Sequence, residues 1–279
     1  MNILYCGDRH IVDGLVISVL SLLKHIPEPL SIYVFTMDVT IGDSHVEPLP
    51  NAVIAQLDAR VKKANPESFV KCIDLSEEFQ RDIPYANLKT RFTPCCMLRL
   101  YADLVPDMPD KVLYLDTDVV CRQDFSDFYH QDMKDQEFVG VLDYYGRWFF
   151  RRKFWKSDYV NSGVLLMNLS KMRETHLLEK CRTRCRTRRM FMPDQSALNK
   201  LSTSKAIAPR QYNEQRKLKS NTVLQHFSTS FRFFPWIHTV SVKPWQIDKV
   251  HDVLKIHEYD DVLDEYSAMR ETAIVSGVS

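Results

Sequence analysis

Two carboxylates one residue apart, Asp116 and Asp118, close a short apolar run from Val112 to Leu115. Side chains alternate along a strand, so both carboxylates point the same way if the chain stays extended through them. Two anions side by side repel, and something positive must share their space. A hard divalent cation carrying a phosphorylated ligand meets that need. The competing reading is a solvated turn with two chance aspartates, because Asp-x-Asp alone is a weak signal.

The elements that must position this pair follow from periodicity. Asn2 to Cys6 reads as a strand broken by Gly7-Asp8, and Ile11, Leu15, Val19, Leu22 and Leu23 form a helical stripe ending near His25. Ser31 to Thr36 predicts a second strand, Val53, Leu57 and Val61 a second helix, and Phe69 to Leu75 a third strand. Strands alternating with helices make a parallel α/β sheet. Such sheets bind ligands beyond the carboxyl ends of their strands. Asp8 and the Asp116/Asp118 pair both lie at such ends, so they can meet although more than a third of the chain separates them.

Further along, Thr93-Pro94 opens a predicted helix that holds Arg99, runs to Leu104 and stops at Pro106. Phe138 to Leu142 predicts a strand ending in Asp143. The aromatic loop from Tyr144 to Trp155 could stack a sugar or form a lid, or simply tuck onto the core. Asn161-Ser162-Gly163 leads into an apolar strand, Val164 to Leu169, and Pro193-Asp194-Gln195 starts a short helix. Val250, Val253, Leu254, Val262, Leu263 and Tyr266 mark packing helices in the tail. No linker, repeat or low-complexity segment appears, so residues 1–279 are expected to form one domain.

Composition sets bounds on function. With 45% hydrophobic and 26% charged residues and a net charge of +1, no global field points to nucleic acid. The seven cysteines show neither zinc spacing nor a disulfide framework, which fits buried thiols in a reducing compartment. No signal peptide and no bilayer-spanning run is legible, so a cytoplasmic protein is expected. Lys180, Arg182, Arg184, Arg186, Arg188 and Arg189 are spread around a helix, which reads as solvated. The functional alternative is a basic patch over 180–189 that touches a polyanionic acceptor or the inner face of a membrane.

Several stretches, taken in order, resemble glycosyltransferase family 8, whose retaining galactosyl- and glucosyl-transferases use a nucleotide sugar on a GT-A fold; the lipopolysaccharide galactosyltransferases are of this kind. The matches are Ile3 to Asp8, Leu98-Arg99-Leu100, Lys111 to Asp118, Asn161 to Leu169, Asp194-Gln195 and Lys243-Pro244-Trp245. The resemblance implies an α/β GT-A domain with a mixed, mainly parallel sheet flanked by helices and C-terminal helices. It makes 1–120 the nucleotide-binding half and 121–279 the acceptor half. Asp116, Asp118 and His226 are similar to the ligands of a manganese ion, with magnesium as its substitute. Asp8 is similar to the uracil-binding aspartate, flanked by Cys6 and Gly7 on the donor side, and Thr117 sits between the metal-binding aspartates. Arg99, Asp143, Asn161 and Asp194 match positions that hold the donor hexose. Gln195 matches the residue near the anomeric carbon opposite the leaving group, and Lys243 the phosphate-contacting lysine. The implied activity is metal-dependent, retaining transfer of galactose or glucose from a UDP-sugar to a glycan, lipid-linked or protein-linked hydroxyl acceptor.

Two departures stand out. Arg9-His10 replaces the family's usual Asp-Asn after Asp8, and His226-Phe227 lies far upstream of Lys243, with Ser228 to Val242 inserted between them. The insertion makes His238 a rival for the third ligand position. His226 is favoured because Thr222 to Gln225 reads as a strand that fixes its direction, whereas a loop absorbs extra length. Two other functions compete: a sugar-nucleotide-binding module without turnover, and a haloacid-dehalogenase-type phosphatase, whose nucleophile also sits in a strand-end Asp-x-Asp. Against the phosphatase stand bulky Val119 and Val120 after the pair and no later strand-end acidic pair.

Overall fold

Apolar runs become the middle of a sheet because helices cover both of its faces. The computed structural model describes residues 1–88, 94–144, 158–232 and 238–275. Its strands are β1 (Asn2–Cys6), β2 (Ser31–Thr36), β3 (Val39–Ile41), β4 (Ser44–Val46), β5 (Phe69–Asp74), β6 (Lys111–Leu115) and β7 (Val119–Cys121). They continue with β8 (Phe138–Leu142), β9 (Val160–Asn168), β10 (Lys205–Ile207), β11 (Leu224–His226), β12 (Ser230–Arg232) and β13 (His238–Val240). Seven of them form one sheet in the order β10-β8-β9-β6-β1-β2-β5. β6, β1, β2 and β5 run parallel, as does β10 with β8, while β9 is antiparallel to both β6 and β8. This is the mixed, mainly parallel GT-A sheet that the resemblance implies.

Alternation along the strands divides the interior in two. Ile3, Tyr5, Leu113 and Leu115 join a core with α1 (Val12–His25) and α2 (Asn51–Ala64), whose Val53, Leu57 and Val61 are buried as expected. Leu4, Cys6, Val112 and Tyr114 face the other core, beneath the segment Pro94–Tyr101 and the helices Leu177–Thr187 and Pro193–Leu201. The C-terminal helix Asp260–Val275 is tied to α1 by the Tyr266 hydroxyl, which donates to Asp13 at 2.6 Å.

Four expectations change. The helix predicted from Pro94 is a 3-10 helix over Pro94–Tyr101. Its three-residue repeat aligns Cys95, Leu98 and Tyr101 on a buried ridge, with Cys96 and Arg99 on the next. The basic stretch 180–189 is not wholly on a helix: Leu177–Thr187 ends before Arg188 and Arg189, and it is separated from Leu169–Glu174 where His176 adopts φ 54°. Arg182 is not solvated but buried. Asn161-Ser162-Gly163 lies inside β9 instead of leading into it. The aromatic loop beyond Tyr144, and Phe233, Phe234 and Trp236, lie outside the described residues. Among the described residues, no helix is long and apolar enough to cross a membrane.

Candidate active site

The two aspartates converge by a route other than extended chain. β6 stops at Leu115, Asp116 donates its backbone N–H to the Gly163 carbonyl at 2.8 Å, and Val119 donates back to the Asp116 carbonyl at 3.0 Å. Asp116-Thr117-Asp118 is therefore a tight turn from β6 into β7. Helix α1 backs it closely: a Cβ on Gly14 would stand 2.7 Å from the Thr117 carbonyl oxygen.

The turn also recruits the histidine. β7 pairs antiparallel with β11, setting His226 opposite Val119, and Phe227 donates its N–H to the Asp118 carbonyl at 2.9 Å. His226 Nε2 then lies 3.2 Å from Asp118 Oδ1 and 3.8 Å from Asp116 Oδ2. One ligand atom from each of the three residues falls within 4.8 Å of the others. Gly163 keeps this space open, because a Cβ there would stand 2.4 Å from His226 Cε1 and 2.7 Å from Asp116 Oδ2. Two carboxylates and one imidazole around a cradle that tolerates no side chain fit manganese or magnesium by donor chemistry. His238 lies on β13, opposite Arg232.

Fixed cations already balance the pair. Lys243 Nζ donates to Asp118 Oδ2 at 2.5 Å and to the Phe227 carbonyl at 3.1 Å. Burial opposes charge on Asp118, but His226 and Lys243 hold its carboxyl well below the usual range. Burial likewise opposes charge on His226, yet Asp118 and Asp116 raise its imidazole above the ordinary value.

Arg99 organises the other side. It is 2% exposed, lies 3.7 Å above the Tyr114 ring, and donates from Nη2 to Asp116 Oδ1 at 3.1 Å and from Nη1 to the Ser162 carbonyl at 2.5 Å. Its Nε donates to the Cys96 carbonyl at 2.9 Å and sits 3.3 Å from Asp194 Oδ2. All three guanidinium nitrogens thus have partners inside the protein, which makes Arg99 a holder of carboxylates. From the same 3-10 segment, Cys95 points its thiol at Asp8 and Cys96 at Asp194, each at 3.8 Å. Burial pushes both thiols up, so they stay protonated and donate. The sequence offered Cys95-Cys96 only as buried small residues.

A chain of amides closes the site. Gln195 Oε1 accepts from the Ser162 N–H at 2.9 Å and its hydroxyl at 3.2 Å, while Nε2 donates to Asp143 Oδ2 at 3.0 Å. Asn161 Nδ2 also donates to Asp143 Oδ2, at 3.0 Å. Asn161 Oδ1 accepts from the Gly163 N–H at 3.0 Å and from Asn213 Nδ2 at 2.9 Å. Asn213 Oδ1 then meets His226 Nδ1 at 3.1 Å. Asn213 is fully buried and was missed in the sequence, where nothing marks a loop asparagine as the partner of a distant histidine.

Asp8 caps the turn Arg9–Ile11, accepting from the His10 N–H at 2.9 Å. Since β1 and β6 are parallel neighbours, Asp8 and Asp116 do lie at adjacent carboxyl ends. Cys6 is buried, and Gly7 packs against Ile11 so closely that a Cβ would stand 2.5 Å from Ile11 Cγ2. A second His/Asp group, His251, His257 and Asp260, has its carboxylate shared between two stacked imidazoles at the start of the C-terminal helix.

The sequence profile described as "Glycosyl transferase family 8" matches residues 2–248. The chain belongs to that family. Among family relatives, the lipopolysaccharide 1,2-glucosyltransferase of Escherichia coli K12 is 24% identical over 307 residues, covering 93% of this chain and 83% of its own length. Glycosyltransferase GlyA of Streptococcus pneumoniae is 31% identical over 134 residues, 47% of this chain. The chain spans only 17% of the length of GlyA and 23% of that of glucoside xylosyltransferase 2 of Xenopus laevis. Among solved structures, galactosyltransferase LgtC in complex with donor and acceptor sugar analogues superposes with a TM-score of 0.64 at 18% identity, covering 96% of each chain. That likeness places this family 8 chain in the same GT-A-type fold.

Proposed function

We propose that this chain is a metal-dependent, retaining hexosyltransferase that moves galactose or glucose from a UDP-sugar to a hydroxyl of a glycan, lipid-linked or protein-linked acceptor. The observation that carries the reading is the convergence of Asp116, Asp118 and His226 at the end of β6, in a cradle held open by Gly163. These three residues would hold manganese or magnesium. When bound, such an ion would neutralise charge on a diphosphate leaving group.

The chain's own residues divide the remaining work. Asp8 accepts from the uracil N–H, with Cys6, Gly7 and Thr117 lining the nucleotide side, so 1–120 serves the nucleotide and 121–279 the acceptor. The Lys243 ammonium presents a positive charge to phosphate. Asp143, Asn161 and Asp194 shape the hexose pocket, and Arg99 keeps Asp116 and Asp194 in register. Gln195 is a poor nucleophile by chemistry, and its amide oxygen already accepts two hydrogen bonds while its nitrogen donates to Asp143. Retention is therefore assigned to front-side attack guided by the departing phosphate, not to a glycosyl-enzyme intermediate.

The test is calorimetry of UDP with and without manganese, followed by UDP release from a panel of UDP-sugars. The Asp118→Ala variant is expected to lose both metal-dependent UDP binding and turnover while remaining folded by circular dichroism. Asp118→Asn should be nearly as damaging, since it supplies one neutral oxygen in place of a carboxylate. Unchanged metal-dependent binding in the alanine variant would refute the metal site. Binding without turnover in the parent chain would select a sugar-nucleotide-binding module. A β-linked product, read from its anomeric NMR signal, would refute retention.

A further inference from the structure

The buried amides between Asp143 and His226 have a direction, and it can be read without seeing a proton. A carboxylate only accepts, so the group that Asn161 turns toward Asp143 is its Nδ2 amide, at 3.0 Å. Its Oδ1 must then face the other way, where the Gly163 backbone N–H, which only donates, meets it at 3.0 Å. Asn161 is thereby pinned at both ends by groups that cannot reverse their roles. Its oxygen also fixes Asn213, which must offer Nδ2 to it, at 2.9 Å. Asn213 is left with Oδ1 toward His226 Nδ1, at 3.1 Å. An amide oxygen cannot donate, so Nδ1 carries hydrogen in the neutral and in the charged ring alike. The lone pair of the neutral ring is then on Nε2, the nitrogen that faces Asp118 and Asp116.

We infer that Asn213 is a positioning residue that sets the tautomer of His226, with Asp143 and Gly163 defining the polarity of the relay. The inference rests on the proposed metal site for its purpose but not for its geometry. The opposite tautomer would aim an N–H at Asp118 Oδ1, 3.2 Å away, and leave no nitrogen lone pair for an ion. Outer partners that orient a ligating imidazole commonly matter to metal affinity by about 10–100-fold. Among the described residues, Asn213 spends its side-chain hydrogen bonds on Asn161 and His226 and not on Asp116 or Asp118, so its effect passes through the ring of His226.

The experiment reads the tautomer directly. Long-range proton–nitrogen correlation spectra of the full, metal-free chain, recorded at rising pH until the ring nitrogens themselves report a neutral imidazole, show which nitrogen of His226 carries hydrogen. The parent chain is expected to show Nδ1–H. Asn213→Ala, which removes the acceptor, is expected to shift the ring toward Nε2–H and to weaken manganese binding with UDP present by about 10–100-fold. Asn213→Asp keeps an acceptor for Nδ1–H, so it should retain the tautomer and bind manganese within a few-fold of the parent. An Nε2–H signal in the parent overturns the inference with no variant needed. So does an alanine variant that keeps both Nδ1–H and full manganese affinity, or an aspartate variant that shows Nε2–H. If the parent shows Nδ1–H yet binds no manganese, the proposed function fails while the tautomer assignment stands.

Discussion

Two buried arginines, Arg99 within the Pro94–Tyr101 segment and Arg182 packed against it, illustrate two uses of one chemistry. Arg99 stacks on Tyr114 and binds Asp116 and Asp194, carboxylates at the mouth of the candidate site. Arg182 lies over the Tyr101 ring at 5.3 Å and binds Asp103 through two nitrogens, with Asp82 and the Leu100 carbonyl as further partners. Their side chains are 3% and 5% exposed, so burial does not tell them apart. The partners do: the carboxylates of Arg99 converge with other polar groups around an open cradle, whereas Asp82 and Asp103, each in a turn, anchor the helix Leu177–Thr187 through Arg182.

Replacing Arg99 with methionine should have the largest effect. Breaking a buried pair costs about 3–5 kcal/mol because a charge is left uncompensated, and here two carboxylates lose their cation. Urea unfolding should show that loss, and turnover per folded molecule should fall by about 100-fold as Asp116 loses its outer partner. Arg182→Met should match the stability loss, about 3–5 kcal/mol, yet leave turnover per folded molecule within a few-fold. Equal turnover losses in both variants would erase the contrast.

Gly163→Ala sharpens the same contrast without touching either arginine. The new methyl would meet His226 and Asp116 at the distances given above, so manganese affinity should fall by about 10–100-fold with a small change in stability. Unaltered affinity by titration would mean that the cradle is not where the ion sits.

The smallest effect belongs to Glu137 on the scaffold side, whose carboxylate accepts from Ser202, Thr203 and Ser204. Burial opposes its charge, but these donors hold its carboxyl below the usual range. A depressed pKa gives stability that is present above the unfolded value, about 4.3, and lost as pH falls through the folded one. Glu137→Gln should therefore cost about 1–2 kcal/mol at pH 7, with the deficit shrinking as pH falls below the unfolded value. A deficit independent of pH would assign it to packing.

The strands were legible where burial on both faces wrote unbroken apolar runs, so Asn2–Cys6 and Ser31–Thr36 carry the expected bounds. The hairpins β3–β4 and β12–β13 were not, because their strands are three residues long and mostly polar. Asp116 and Asp118 were singled out by their strand-end spacing, and Arg99, Asp143, Asn161, Asp194 and Gln195 through resemblance to a family; the structure brings them together. Their mutual bonds were invisible, since Arg99 to Asp116 or Asn213 to His226 depends on which strands become neighbours. The turn at Thr117 shows the limit of periodicity: convergence was expected from an extended strand and arises from its end.

The pairing of β7 with β11 also orders assembly in time. All seven strands of the main sheet are present in the chain by Ile207, but His226 reaches Asp118 only after β11 has docked on Val119. During synthesis the chain emerges N-terminal end first, so the strands of the sheet are available before β11 is. A folding chain can therefore hold a finished sheet and an unfinished site. Under the proposed metal dependence, cation binding would be a late event, one that rewards only molecules in which that last strand has found its register.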